Sequence, residues 1–319
     1  MWLKYRSRFT LLIQRGDESY KSVASLTEWL LPDTRTGSAM MDAKGGLHRR
    51  TGCGEPAVES SAAHEPPEVI VQHATPFDLA FDTNLNYFNW LELPENLVRL
   101  ERFGHGMTGT RYWWETQREV LHGFPWAELP PDSVLVDVGG GIGPSSDQVV
   151  VVEDRIQVVE AAPSSWGPKY APLFKSGRIT FRARDMLSPW EPLTSGETPD
   201  VFLLRLVLHD WQDEDSRNIL RRLRSAAGPN TKLLIGDMLL PYACESEEAS
   251  VEDHSPLLPN LGVANIHGYL LDILMMALFG SKERTINEMT ELALSTGWKI
   301  ETVKRPPGSL MTYITAIPV

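Results

Sequence analysis

Three short runs set what this chain can fold into: VLVDV at 134–138, VFLLRLV at 201–207 and KLLIGDM at 232–238. Each is nearly continuous in long or branched apolar side chains, without the alternation of a half-exposed strand. Such runs are buried on both faces, which means parallel strands with helices packed above and below. The segment between the last two, DEDSRNILRRLRSAAG, supplies one such helix. Its Ile219, Leu220, Leu223 and Ala227 share a face, acids crowd its first turn, and Gly228 stands where a C′ glycine would end it. Further on, Thr285 and Glu288 have capping-box spacing, and the helix they open is expected to stop at Gly297. The C-terminal KIETVKRPPGSLMTYITAI reads as two strands joined by a Pro-Pro-Gly-Ser loop. Strands alternating with helices, then a terminal hairpin, predict an α/β fold: a doubly wound sheet with an antiparallel C-terminal edge.

Upstream the texture differs. Residues 1–42 read as a helical fragment ending at LLPDTRTG, and residues 43–74, rich in Gly, Ala, Ser, Glu, Pro and His, as a flexible linker. From Thr75 to Phe124 helical spacing appears. Phe88, Trp90, Leu91, Leu97, Leu100, Phe103 and Met107 fall like the buried faces of two or three helices. The predicted organisation is a fragment over 1–42, a linker over 43–74, a helical region over 75–132 and the α/β domain over 133–319.

Composition narrows the function. A chain of 319 residues that is 42% hydrophobic can bury a large core, and a net charge of -12 argues against a nucleic-acid surface. The two cysteines, Cys53 and Cys244, are far apart and form no CxxC, which points to a reducing compartment. The N-terminal apolar run FTLLI is too short for a signal peptide. No stretch is expected to approach the ~20 apolar residues of a membrane span. The expectation is a cytoplasmic protein without a membrane partner. The eight histidines lack paired ligand spacing, so no metal site is expected, and no GxSxG elbow marks a serine nucleophile.

Two places carry candidate chemistry. After VLVDV come Gly139, Gly140, Gly141 and Gly143, a turn that lets backbone amides approach a ligand closely. A ribose-binding acid belongs at the end of the following strand. Asp154, closing VVVVED, is favoured by strand propensity; Glu160, closing IQVVE, is favoured by spacing but needs SSDQVVVVED to be helical. The second place is LLRLVLHDWQDED. Here His209 falls just past the carboxyl end of a buried strand, where open α/β sheets bind ligands and a neutral imidazole can take a proton. Asp237 closes the next strand on the same edge and can orient the imidazole and stabilise its charged form. Glu283 is either a second orienting acid or a solvated charge near a helix start.

Taken together, VDVGGGIG, ARDM, LLRLVLHDWQDED, IGDMLLP and GSKERT resemble the class I SAM-dependent O-methyltransferases. The likeness is to the caffeate-type group in the form fungi use on secondary metabolites. It covers residues 75–319 in the family's block order, with a weaker match over 1–42. The resemblance implies a Rossmann-like SAM-methyltransferase sheet preceded by a shortened helical region for winged-helix dimerisation. It implies S-adenosyl-L-methionine (SAM) as cofactor, His209 as general base, and Asp237 and Glu283 as its supporting acids. Gly139, Gly140 and Gly141 match the SAM turn, Asp185 and Met186 the adenine block, and Arg205 a basic position near the cofactor. It also selects Asp154 as the ribose acid, because VVEDRIQVVE followed by Trp166 fits the fungal pattern. The implied reaction moves a methyl group to a phenolic or enolic hydroxyl of a small aromatic, polyketide-like metabolite. The implied apolar walls are Phe103, Met107, Trp113, Met275, Met276 and Phe279. The implied assembly is a homodimer, of which residues 1–42 supply only part of the usual dimerisation region. The rival is a protein of the same fold that no longer methylates, either a pericyclase-like enzyme or a regulatory partner. What sets this sequence apart is the short PSSDQ link between Gly143 and the valine run.

Overall fold

The structure is a computed structural model describing residues 15–30, 39–41, 47–49, 74–110, 116–140, 149–166, 171–193, 196, 198–242 and 260–319. Two short strands, β1 (Ala39–Met41) and β2 (Leu47–Arg49), pair antiparallel. β1 falls at the end of the fragment expected over 1–42 and β2 in the stretch expected to be a flexible linker, most of which lies outside the described residues. The main sheet has seven strands: β3 (Val134–Val138), β4 (Val149–Asp154), β5 (Ile179–Ala183), β6 (Val201–Arg205), β7 (Lys232–Asp237), β8 (Trp298–Lys304) and β9 (Thr312–Pro318). Their order is β5-β4-β3-β6-β7-β9-β8. The first five run parallel, and β9 and β8 are antiparallel to their neighbours. This is the predicted doubly wound sheet with an antiparallel edge, and its order reverses direction beside β3, where such sheets bind ligands.

The helices are α1 (Tyr20–Ala24), α2 (Leu26–Leu30), α3 (Pro76–Phe81), α4 (Tyr87–Leu91), α5 (Leu97–Thr110), α6 (Thr116–Gly123), α7 (Ile156–Trp166), α8 (Ala171–Lys175), α9 (Asp213–Ala226), α10 (Ile266–Phe279) and α11 (Ile286–Leu294). Period-two alternation divides the strand side chains between two cores. Val136, Phe202, Leu204 and Ile235 pack with Ile219, Leu223 and Leu292 of α9 and α11. Leu135, Val150, Val152, Leu203 and Leu234 pack with Val120, Phe124 and Trp126 on the other face. A third cluster joins Phe77, Tyr87, Trp90 and Leu91 to Leu278 of α10. The N-terminal fragment docks on α5 through Glu18, a buried acid paired with Arg102 and lying 3.4 Å from Arg99 Nε.

The structure decides between strand and helix for the valine run. Val149–Asp154 is a strand in parallel register with β3, Val134 opposite Val149 and Val138 opposite Glu153. IQVVE opens α7 instead, and Glu160 is exposed on it. β-branched side chains prefer the pleated surface, and here that preference wins over spacing. The connection is consequently residues 139–148, shorter than the dozen or more usual between parallel neighbours. Gly143 and PSSDQ lie in the part outside the described residues.

Three local expectations need amending. α9 does not end in a left-handed glycine: Ala227 is extended at φ -77° and ψ 135°. Gly228 serves close packing instead, since a Cβ there would lie 3.1 Å from Thr198 Cγ2. β6 stops at Arg205, and Leu206 turns the chain with φ at 54°. Finally, Gly262–Phe279 is 18 residues with mean hydropathy 1.5, long and apolar enough to cross a membrane by those two measures. It stands closer to a span than the sequence reading allowed. Within the fold it is tied down by buried Met275, Ala277 and Leu278 and by Asp272, whose carboxylate accepts the Glu283 N–H at 2.9 Å.

Candidate functional site

The parallel strands end along one edge, and most of the expected site residues collect there. Gly139 follows β3 with φ at 69°, and its N–H donates to Glu153 O at 2.7 Å. A Cβ on Gly139 would sit 3.0 Å from Val207 Cγ2 and 3.4 Å from Met186 Cε. On Gly140 it would meet the Asp137 carboxylate carbon at 2.6 Å. Only glycine allows this backbone path. Asp154 ends β4, and its Oδ1 accepts the Arg155 N–H at 2.7 Å. Arg184 N–H donates to Asp154 O at 2.8 Å, which brings the turn carrying Asp185 and Met186 alongside. The Asp185 carboxylate accepts from Leu187 N–H at 2.9 Å and Ser188 Oγ at 3.2 Å, so it shapes its own turn. Arg205 ends β6 with its Nε 3.4 Å from the Tyr313 hydroxyl. Gly141 lies outside the described residues.

Asp137 was overlooked in the sequence. It is 5% exposed beneath the glycine turn, and burial pushes its carboxyl up to about 7 against the pull of Arg205, with Asp154 adding to the rise. The signal was present: an acid inside an otherwise apolar strand run is costly and needs a reason.

The second half of the site is built on a sharp corner. After the left-handed Leu206, residues Leu208–Asp210 form a single 3-10 turn that carries His209. Several side chains hold this turn by its backbone. Ser281 Oγ donates to His209 O at 2.5 Å. The buried Arg284 guanidinium donates to Leu208 O at 2.8 Å and Trp211 O at 2.9 Å. It also bonds Asp213 and Ser216. Arg284 went unread in the sequence because nothing local marks a cation whose partners lie some seventy residues away.

Glu283 is no solvated charge. It is buried, with Oε1 2.6 Å from His209 Nδ1. Asp237, expected to do this, is 2% exposed, and among the described residues neither of its oxygens has a hydrogen-bond partner. It acts on the imidazole through its field. A third acid, Asp210, lies 3.5 Å from Nε2 and was also overlooked. Burial alone would lower the His209 pKa. Glu283 and Asp210, with Asp237 adding, overcome that and push it up to about 10. Burial in turn raises Asp237 to about 7 and Asp210 to about 6, in both cases against the pull of His209. Nδ1 is engaged by Glu283 at 2.6 Å, and Nε2 is the ring nitrogen held less closely, 3.5 Å from Asp210 Oδ1.

Aromatic side chains adjoin this turn. Phe88 of α4 has its ring centroid 6.3 Å from Trp211, 5.3 Å from Phe279 and 6.0 Å from Phe103. Of the other expected wall residues, Met275 is 4% exposed and Met107 38%, while Trp113 lies outside the described residues.

Known proteins carry the same arrangement of elements. The O-methyltransferase domain family matches residues 99–299. An O-methyltransferase of Armillaria gallica is 35% identical over 262 residues, 76% of this chain and 55% of that protein. The 4-O-methyltransferase 1 of Phanerochaete chrysosporium is 33% identical over 263 residues, 76% of this chain and 54% of that protein. The chain thus spans about half the length of the curated relatives it matches. Among solved structures, NcsB1, an O-methyltransferase from neocarzinostatin biosynthesis in complex with SAM and 2-hydroxy-5-methyl naphthoic acid, superposes with a TM-score of 0.57 at 21% identity. That match covers 77% of this chain and 65% of NcsB1. At that identity the likeness speaks for the fold, while the domain match and the two relatives speak for descent: the chain belongs to the O-methyltransferase family.

Proposed function

We propose that this chain is a SAM-dependent O-methyltransferase that moves a methyl group to a phenolic or enolic hydroxyl of an aromatic, polyketide-like secondary metabolite, with His209 as general base. The observation that carries this reading is the buried 2.6 Å contact between His209 Nδ1 and Glu283, on the same sheet edge as the glycine turn. The residues present fit SAM. Backbone at Gly139 and Gly140 runs where a Cβ would collide with Val207 or Asp137, and the Asp154 carboxylate ends the adjacent strand. Gly139, Gly140 and Gly141 would cradle it, Asp154 would take the ribose, Asp185 and Met186 the adenine, and Arg205 would lie near its charged end. When bound, SAM supplies an electrophilic methyl group.

The protein's own part is to align the acceptor oxygen and take its proton at His209 Nε2. A phenol has a pKa of ~10. An imidazolium held at about 10 makes that transfer nearly balanced. Glu283 and Asp237 then stabilise the charged ring. Phe88, Phe103, Trp211 and Phe279 offer a flat aromatic the stacking surfaces that fix its orientation. The proposal includes a cytoplasmic location, supported by the reducing-compartment cysteine pattern.

Calorimetric titration with SAM and its demethylated product, S-adenosylhomocysteine, tests this reading; absence of binding by either at millimolar concentration removes it. His209→Ala should keep product binding within about threefold and lose methyl transfer by ~10²–10⁴-fold. Unchanged turnover would overturn the assigned base. A second reading draws on the same raised pKa: an imidazole held charged is a proton donor at rest, suited to a protein of this fold that no longer methylates. SAM binding without methyl transfer to any hydroxylated aromatic would favour it.

A further inference from the structure

Arg155 stands between the two halves of the site. Its backbone is fixed at the junction of β4 and α7. The N–H donates to Asp154 Oδ1 at 2.7 Å, and the carbonyl accepts from Val158 and Val159 N–H at 3.0 Å each. Its side chain crosses to α4 in the helical layer. Nε lies 2.5 Å from Glu92 Oε1, Nη2 donates to Asn89 Oδ1 at 2.8 Å, and the guanidinium lies 5.9 Å from the centroid of the Phe88 ring. Phe88 is the residue whose ring meets Trp211, two positions past His209. One residue therefore joins the acid proposed for the ribose, through its backbone N–H, to the helix that borders the base, through its side chain.

We propose that Arg155 is a positioning residue that ties the cofactor half of the site to the aromatic half, so that ligand held at Asp154 tightens the helix Tyr87–Leu91 over the acceptor. This rests on the cofactor reading above. A guanidinium is suited to the role because one group bonds both a carboxylate and an amide while lying near an aromatic ring. Occupancy at Asp154 biases the α4 position through differential contact, the requirement for any coupling between sites.

The test is hydrogen exchange of the amides of residues 87–92, with and without saturating S-adenosylhomocysteine, in the wild type, Arg155→Met and Glu92→Gln. Calorimetry of the same ligand runs in parallel. The expected result is binding within about threefold in all three proteins. Exchange over 87–92 slows about tenfold on binding in the wild type, and this slowing is lost in both variants. A purely structural contact would speed exchange equally in the free and bound protein and leave their ratio unchanged. The inference falls if the ratio survives in both variants, or if wild-type α4 shows no slowing while the ligand binds. Failure of the wild type to bind the ligand removes the cofactor reading as well. Glu92→Gln leaves Arg155 and Asp154 intact, so loss of folding in Arg155→Met still leaves a decisive variant.

Discussion

His209 is surrounded by Glu283, Asp210 and Asp237, and the balance of their charges against burial sets the charge the imidazole carries at a given pH. A protonated imidazole accepts nothing, so the base proposed at His209 would be lost as pH falls through its folded pKa. With that pKa near 10, kcat/KM for the acceptor should keep rising from pH 6 to pH 9. A histidine near its ordinary ~6.5 would give a plateau just above neutrality instead. A flat profile above pH 7.5 would sink the raised value. Asp237 makes the complementary prediction for stability. Its carboxyl is raised to about 7, so the neutral form is favoured in the fold and ionisation costs stability from the unfolded pKa of 3.8 upward. Asp237→Asn removes that cost. Its gain in melting temperature should grow between pH 4 and pH 7 and then level off, while methyl transfer falls. A gain that shrinks with pH would contradict the assignment. His209 and Asp237 were legible in the sequence because each follows or ends an apolar strand run. Glu283 was named as a second orienting acid, but that it, rather than Asp237, contacts Nδ1 was not legible, since the two groups lie 74 residues apart. Only the fold brings the GSKERT turn beneath the HDW turn.

The capping box before α11 joins local chemistry to that same turn. Thr285 N–H donates to Glu288 Oε2 at 2.8 Å, and Glu288 N–H donates to Thr285 Oγ1 at 3.4 Å. Thr285→Ala should cost about 1 kcal/mol. That lowers the melting temperature by about 2–4 °C in a domain of this size, and a differential scan showing no shift would mean that the box does not hold the helix. The box, the C-terminal hairpin and three of the parallel strands were readable, because each has a local signature of spacing or composition, whereas β5 (Ile179–Ala183) was not named. Elsewhere the signature pointed the wrong way. Gly228 sits where helices usually turn left-handed, yet contact with Thr198 explains it. Leu206 carries no turn signal, yet it adopts the left-handed region that a leucine avoids. The surrounding hold on the corner, Ser281 and Arg284 on its carbonyls, accounts for a conformation that no window of sequence would reveal.

The candidate cofactor residues come from the ends or following turns of four strands, β3, β4, β5 and β6, so a ligand bound there bridges the centre of the sheet. Binding to the folded state alone should therefore raise global stability. At a hundredfold excess over Kd, S-adenosylhomocysteine should add about 2.7 kcal/mol, visible as a shift of the whole melting curve. A shift confined to part of the transition would mean that the edge melts separately from the sheet. The short link between β3 and β4 bears on how this sheet comes together in time. Val134 pairs with Val149, whereas the other neighbour of β3 is reached only when Leu135 finds Val201. Closing a small loop costs less chain entropy than closing a large one. The candidate cofactor turn thus lies in the connection between the parallel strands that are nearest in sequence, and Gly139 and Gly140 open the loop from which the sheet can nucleate.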